Sequence, residues 1–366
     1  MRAYVADTNG GSEHGRVLVY DLKKGQQIRA LDALYNPEVA VSDDGARLAV
    51  VDTDLGRKPS RHRICVYNVA NWEVSQQSEF KDRYLYNVAP HSPELVFGHG
   101  GECYVLQSKI VGADEAEFAV GVLPAKGGKF EPGKVKLPYA VTHFGKVAGK
   151  DHLHFTLASR YGETVGMDSP AETKKHKNLI AMRTPSERMG KVVRGIFADD
   201  KNRWHTNQTE AEHDIAYSVG ASAASSTEPV TYHVSPHGTL RIYDGLTNRI
   251  SQPVELEIPA GMRVPLQHAF MHGSTLFVGA ASEELASRGQ SQICMLYSVG
   301  AAGVHRERSL GLYPAAEKMY ISPDGTTLVC LSREERNITL WDLESGHMSS
   351  RIGDVGVSPV SLALTA

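Results

Sequence analysis

A strand, a tight turn and a second strand, written once near the start of this chain and again near its end, restrict its fold more than any other feature. Pro37-Glu38-Val39-Ala40-Val41-Ser42-Asp43-Asp44-Gly45 runs into Ala46–Val51, and Lys318-Met319-Tyr320-Ile321-Ser322-Pro323-Asp324-Gly325 runs into Thr326–Cys330. Asp-Gly after an alternating apolar run predicts a hairpin, because glycine supplies the positive φ such turns need. A third strand follows and ends in an aromatic–Asp pair: Tyr20-Asp21, Tyr243-Asp244 and Trp341-Asp342. A turn bearing Gly and a fourth strand complete the unit, as at Lys24-Gly25 before 26–33 and Ser345-Gly346 before 347–352. Four short antiparallel strands that recur along a chain make one blade of a β-propeller.

Walking the chain gives further units at about 37–80, 93–137, 139–197, 203–258, 265–312 and 317–352. The fourth of the resulting blades, within 139–197, is the least regular. What remains is a three-stranded head, 2–33, and an orphan strand, 359–366. Joined, they supply the missing blade and remove two free sheet edges. The expectation is an all-β, seven-bladed β-propeller of four-stranded antiparallel blades, closed by pairing of the C-terminal strand 359–366 with the N-terminal strands. All 366 residues then form one domain, since repeat folds use many similar units as one body. The low-complexity stretch Gly220–Thr227 reads as a loop inside the fifth blade.

Charge and composition exclude several functions. The net charge of −3 leaves no broad basic field for a nucleic-acid backbone. No apolar run is long enough for a membrane span. The start of the chain reads as a strand and not as a leader, so a cytoplasmic location is expected, or a periplasmic one if a leader has been removed. Cys65, Cys103, Cys294 and Cys330 each sit inside an apolar strand pattern and read as small buried side chains. Metal-ligand spacing is absent, so no metal is expected.

The repeats resemble the YVTN family of propeller repeats, with Tyr4-Val5-Ala6-Asp7-Thr8-Asn9 and Ile321-Ser322-Pro323-Asp324-Gly325 standing at its motif positions. Three stretches are similar, more closely, to the heavy chain of the bacterial quinoprotein amine dehydrogenases, the methylamine and aromatic amine dehydrogenases. These are 36–69 with its long basic loop Leu55–Arg63, then Gln267–His272 with the 283–290 loop, and Ile338–Pro359. The resemblance implies an oxidoreductase subunit that binds a small cofactor-bearing partner and helps form a channel for an amine-type substrate. A tryptophan-derived quinone would reside on that partner. Trp72, Trp204 and Trp341 read as strand or blade residues, so no cofactor is expected in this chain itself.

Candidate site residues gather where the inner strand of each blade begins. Tyr35-Asn36, Tyr86-Asn87 and Tyr139 recur there, with His91, His143, Gln267, His268, Glu317, Lys318 and Tyr320 nearby. Aromatic walls with a few convergent polar groups describe a small-molecule pocket. The competing reading is that these tyrosines merely pack between blades. Within the funnel, acid–base chemistry falls to His268, His143 and Glu317. Tyr35, Asn36, Tyr86, Asn87, His91, Tyr139, Gln267, Lys318 and Tyr320 would contact substrate. This gives the alternative function: a stand-alone enzyme without a redox cofactor, a lyase, isomerase, cyclase or lactonase, working in the axial funnel.

Overall fold

A computed structural model of the chain describes residues 1–8, 14–54, 61–81, 95–98, 100–112, 115–137, 140–147, 152–158, 179–183, 197–198, 204–205, 221–225, 228, 230–235, 237–244, 249–265, 268–282 and 292–366. The ordered elements among them are β-strands joined in antiparallel sheets. The strands Tyr35–Val41, Arg47–Asp54, Arg61–Asn68 and Val74–Lys81 form one four-stranded sheet in chain order. Leu95–Phe97 through Glu131–Leu137 form another, and Lys318–Ile321 through Met348–Ile352 a third. In a fourth, Pro359–Thr365 pairs with Arg2–Asp7, placing Leu362 opposite Val5 and Thr365 opposite Arg2. That sheet continues through Arg16–Asp21 to Gln26–Asp32, so it is built from both parts of the chain.

The strand sequences explain why the sheets stand face to face. Successive side chains of a strand point to opposite faces. Ala3 and Val5 pack with Val329 and Leu331 of the 318–352 sheet, while Tyr4 and Ala6 pack with Leu48 and Val50 of the 35–81 sheet. Leu328 and Cys330 face Phe277 and Cys294 in the same manner. Each middle strand is buried on both faces and reads as a continuous apolar run, not as an alternating one. All four cysteines are free and buried. Burial pushes the Cys65 thiol up to about 11 and that of Cys294 to about 12, as inert structural cysteines require.

The recurring motifs form the same bonds at each occurrence. Ser42 Oγ donates to Asp44 Oδ1 and accepts from Arg47 N; Ser322 Oγ donates to Asp324 Oδ1 and accepts from Thr327 N. Gly45 and Gly325 close these turns at φ of 67° and 73°. The aromatic–Asp pairs also have a local cause: Asp21 Oδ1 accepts from Lys23 N, and Asp342 Oδ1 from Ser345 N, folding the turn to the fourth strand.

One expectation is corrected. Within Gly220–Thr227, Ala221–Ala224 is a strand, paired with Val230–Val234. Ala221 and Ala223 are buried against the neighbouring sheet, where a small side chain suits the close approach. Low complexity here marks tight packing. Among the described residues, no helix is long and apolar enough to cross a membrane.

Candidate functional site

Tyr35–Val41 and Lys318–Ile321 are edge strands of their sheets, as Pro359–Thr365 is of the sheet it shares with Arg2–Asp7. Pro359–Thr365 lies between Lys318–Ile321 and Tyr35–Val41. Backbone pairing gives three residues on these neighbours one common register. Glu38 stands opposite Val51, Ser361 opposite Ala6 and Lys318 opposite Leu331. The following residues of the second strands, Asp52, Asp7 and Ser332, are equivalent as well. One row across three neighbouring edge strands therefore carries a carboxyl, a hydroxyl and an ammonium.

These groups act on one another. Burial pushes the Glu38 carboxyl above its ordinary range, while the Lys318 ammonium and the Ser361 hydroxyl pull it back. Ser361 Oγ is buried and aligned into no full hydrogen bond. Tyr320, two residues along the strand from Lys318, has its phenol raised by burial and further by Glu38. Its oxygen accepts from Leu362 N at 3.1 Å, which leaves the phenolic proton to be donated elsewhere. The cluster can hold and move a proton at Glu38 and support developing negative charge with Lys318 and Tyr320.

Polar latches fix the irregular segments that lead into these strands, where buried backbone groups need partners. Asp7 is wholly buried; it accepts from Ser358 N at 2.7 Å, from Val357 N at 3.1 Å and from Arg16 Nη2 at 3.0 Å. Asp52, at the equivalent place, accepts from Leu34 N at 2.9 Å and from Arg63 Nε at 3.1 Å. Gln292 does the same for the 316–317 segment, with Oε1 accepting from Ala316 N at 2.9 Å.

The residues expected from the sequence fall into several groups. Lys318 and Tyr320 belong to the cluster with Glu38 and Ser361. His268 is buried in the seam beside it, with Nδ1 2.6 Å from Gln292 Nε2 and Nε2 3.1 Å from the Glu317 carbonyl. The Glu317 carboxylate is turned elsewhere, accepting from Arg333 N at 2.6 Å and Glu334 N at 3.4 Å. Tyr35 is half-buried and meets His14 edge-on, with ring centres 5.6 Å apart. Asn36 adopts φ of 47° at the start of its strand. His143 lies on the strand Ala140–Val147 opposite Thr156, and its side chain is outside the described residues. Tyr86, Asn87, His91, Tyr139 and Gln267 also lie outside them. Among the described residues no group of three His, Cys, Asp or Glu is placed to hold a metal ion.

Glu38 and Ser361 were not among the residues expected from sequence. A signal for Glu38 exists: Glu38 and Lys318 each stand four residues before the hairpin serine, Ser42 or Ser322. Opposite charges at one repeat position of an otherwise apolar strand mark a polar row. Ser361 carries no such marker, because its strand has no hairpin serine.

No protein-family model and no curated protein sequence matches the chain. Solved structures do. The periplasmic gluconolactonase of Pseudomonas aeruginosa matches with a TM-score of 0.59 at 15% identity, over 99% of this chain and 98% of that one. A Bacteroides fragilis protein assigned as a 6-phosphogluconolactonase matches at 0.55 and 11% identity, over 99% and 96%. The Swd1 β-propeller domain of Myceliophteria thermophila matches at 0.51 and 14% identity, over 86% and 85%. Their common property is architecture, and at these identities architecture is what they show: the chain is an all-β propeller built largely of four-stranded antiparallel sheets.

Proposed function

We propose that the chain is a single closed propeller of seven blades whose axial cluster hydrolyses a cyclic ester of a small polyhydroxylated acid. Seven innermost strands, 359–365, 35–41, 95–97, 140–147, 221–224, 269–272 and 318–321, are present among the described residues. From 359–365 through to 269–272 neighbours along this series pack side by side, and the 318–321 strand lies against 359–365. This supports a ring closed by the 1–32 and 359–365 sheet.

The observation that carries the chemistry is the Glu38–Ser361–Lys318 row with Tyr320 beside it. In this reading Glu38 accepts a proton from water as the water oxygen bonds to the lactone carbonyl carbon. Lys318 and Tyr320 stabilise the oxyanion. The ring C–O bond then breaks, the proton passes to the leaving alkoxide, and a hydroxy acid is released. A carboxyl raised by burial suits a base working near neutral pH. Full-length likeness to propellers described as gluconolactonase and 6-phosphogluconolactonase supports this chemistry. The chain would need no resident cofactor.

A pH-stat assay with glucono-1,5-lactone and a small panel of related aldonolactones tests the reading. Acid release above the buffer rate is expected from the wild type, with loss in Glu38→Gln. Wild-type protein that adds nothing to the buffer rate on any member of the panel overturns it. A second reading rests on the sequence resemblance at 36–69, 267–272 and 338–359: a large subunit that holds a small quinone-bearing partner. It requires a co-purifying subunit with quinone absorbance.

A further inference from the structure

We propose that His268 is a positioning residue for the axial cluster, a neutral imidazole that holds the Glu317 carbonyl and thereby fixes the peptide that presents Lys318 to Glu38. This rests on the axial site proposed above. It gives His268 a different task from the acid–base role expected from sequence.

Three hydrogen bonds determine where the ring proton sits. Ala316 N donates to Gln292 Oε1 at 2.9 Å, so the amide nitrogen of Gln292 faces the imidazole. That nitrogen can only donate, so Nδ1, 2.6 Å away, accepts. The ring proton is therefore on Nε2, and it donates to the Glu317 carbonyl at 3.1 Å. Turning the Gln292 amide over would set its NH2 against the Ala316 N–H. Protonating Nδ1 would set two donors face to face. The arrangement admits one protonation state of the ring.

The surroundings hold the ring and the peptide in place. Gly279 N donates to the His268 carbonyl at 2.7 Å. A Cβ at Gly279 would come within 3.1 Å of His268 Cβ and 2.4 Å of Met319 Cε, so this side of the ring is closely packed. Glu317 is held three ways. Its N donates to Leu331 O at 3.0 Å, its carboxylate caps the 333–334 turn, and its carbonyl receives the His268 proton. Lys318 follows directly. Second groups of this kind set the orientation of first ones in many sites. Without the bond from His268, the peptide is free to tilt and the ammonium to withdraw from Glu38. Glu38 would keep its burial and lose the charge that offsets it.

Glutamate labelled with 13C at the side-chain carboxyl reports this without any substrate, once the Glu38 resonance is identified by its loss in Glu38→Gln. His268→Gln retains a donor at the Nε2 position and should titrate Glu38 as the wild type does. His268→Asn replaces only Nδ1, and the Glu38 titration should move up by about half a pH unit or more. Gln292→Met releases the ring proton from Nε2 and should shift it the same way, which keeps the test usable if His268→Asn does not fold. Unchanged titration in every folded variant of these two overturns the positioning role. If the wild type hydrolyses no lactone yet the titrations shift as stated, the hydrolase reading falls and the positioning role stands.

Discussion

Replacing Asp7 by Ala probes the joint between the two parts of the 1–32 and 359–365 sheet. The carboxylate is wholly buried and receives two backbone N–H groups, those of Val357 and Ser358, together with Arg16. Hydrogen bonds to a charged group contribute about 1.5–3 kcal/mol each, most where the stranded partner cannot reach water. Val357 is 48% exposed and Ser358 8% exposed, so the first amide can turn to solvent and the second cannot. Arg16 is 37% exposed at its side chain, and its pairing contributes little. The loss then amounts to roughly 3 kcal/mol. Unfolding entropy of about 2.1 cal/mol/K per residue gives ~0.8 kcal/mol/K for 366 residues. Asp7→Ala should therefore lower Tm by about 4 °C in calorimetry at fixed scan rate. Hydrogen exchange should rise in peptides spanning 357–365, and Asp7→Asn, which keeps an acceptor, should lose less. A Tm within about 1 °C of wild type, with unchanged exchange at 357–365, would refute the assigned role of this latch.

Further outcomes follow from the same contacts. Gly356→Ala should destabilise more than Gly346→Ala by calorimetry: both have positive φ, but a Cβ at Gly356 lies 2.7 Å from the Asp7 carboxyl, whereas at Gly346 the nearest atom is 3.4 Å away. Glu38→Gln should cut lactone turnover by about 10²–10⁴-fold with little change in KM. Because Glu38 is raised on folding, the folded state holds its proton longer than the unfolded state. Its contribution to stability therefore falls as pH rises from 4.5 through its folded value, and Glu38→Gln should remove that part of the Tm–pH slope. Asp324 is lowered to about 2, chiefly by the Ser322 hydroxyl. The stability it contributes is present above pH 3.8 and lost as pH falls toward 2, so Ser322→Ala should flatten acid unfolding in that window.

Local chemistry made much of the architecture readable in advance. Ser42-Asp43-Asp44-Gly45 and Ser322-Pro323-Asp324-Gly325 form their turns from bonds within a few residues, so sequence alone specifies them. The orphan strand at 359–366 was readable by subtraction, since its inner-strand pattern lacked a hairpin partner. Ala221–Ala224 was not readable, because what makes it a strand is the neighbouring sheet at Ala269 and Val278. Glu38 was hidden by the same limit. Its neighbours Pro37 and Val39 spell an ordinary strand, and its importance comes from Lys318, distant in sequence and two strands away in space. His268 was conspicuous in the sequence, but Gln292 and the Glu317 carbonyl, which set its protonation, left no mark around it.

The sheet shared by Arg2–Asp7 and Pro359–Thr365 also bears on how the protein is made. On the ribosome, Arg2–Asp7 emerges long before Pro359–Thr365, the strand it pairs with. Until then one edge of that strand lacks its native partner, and Asp7 must stay hydrated or find substitute donors. Pairing across such a sequence separation is slow to form, and an unfilled strand edge is a template for the wrong neighbour. The interval before residues 357–365 become available is then the one in which a chaperone that shields strand edges would most change the yield of native protein.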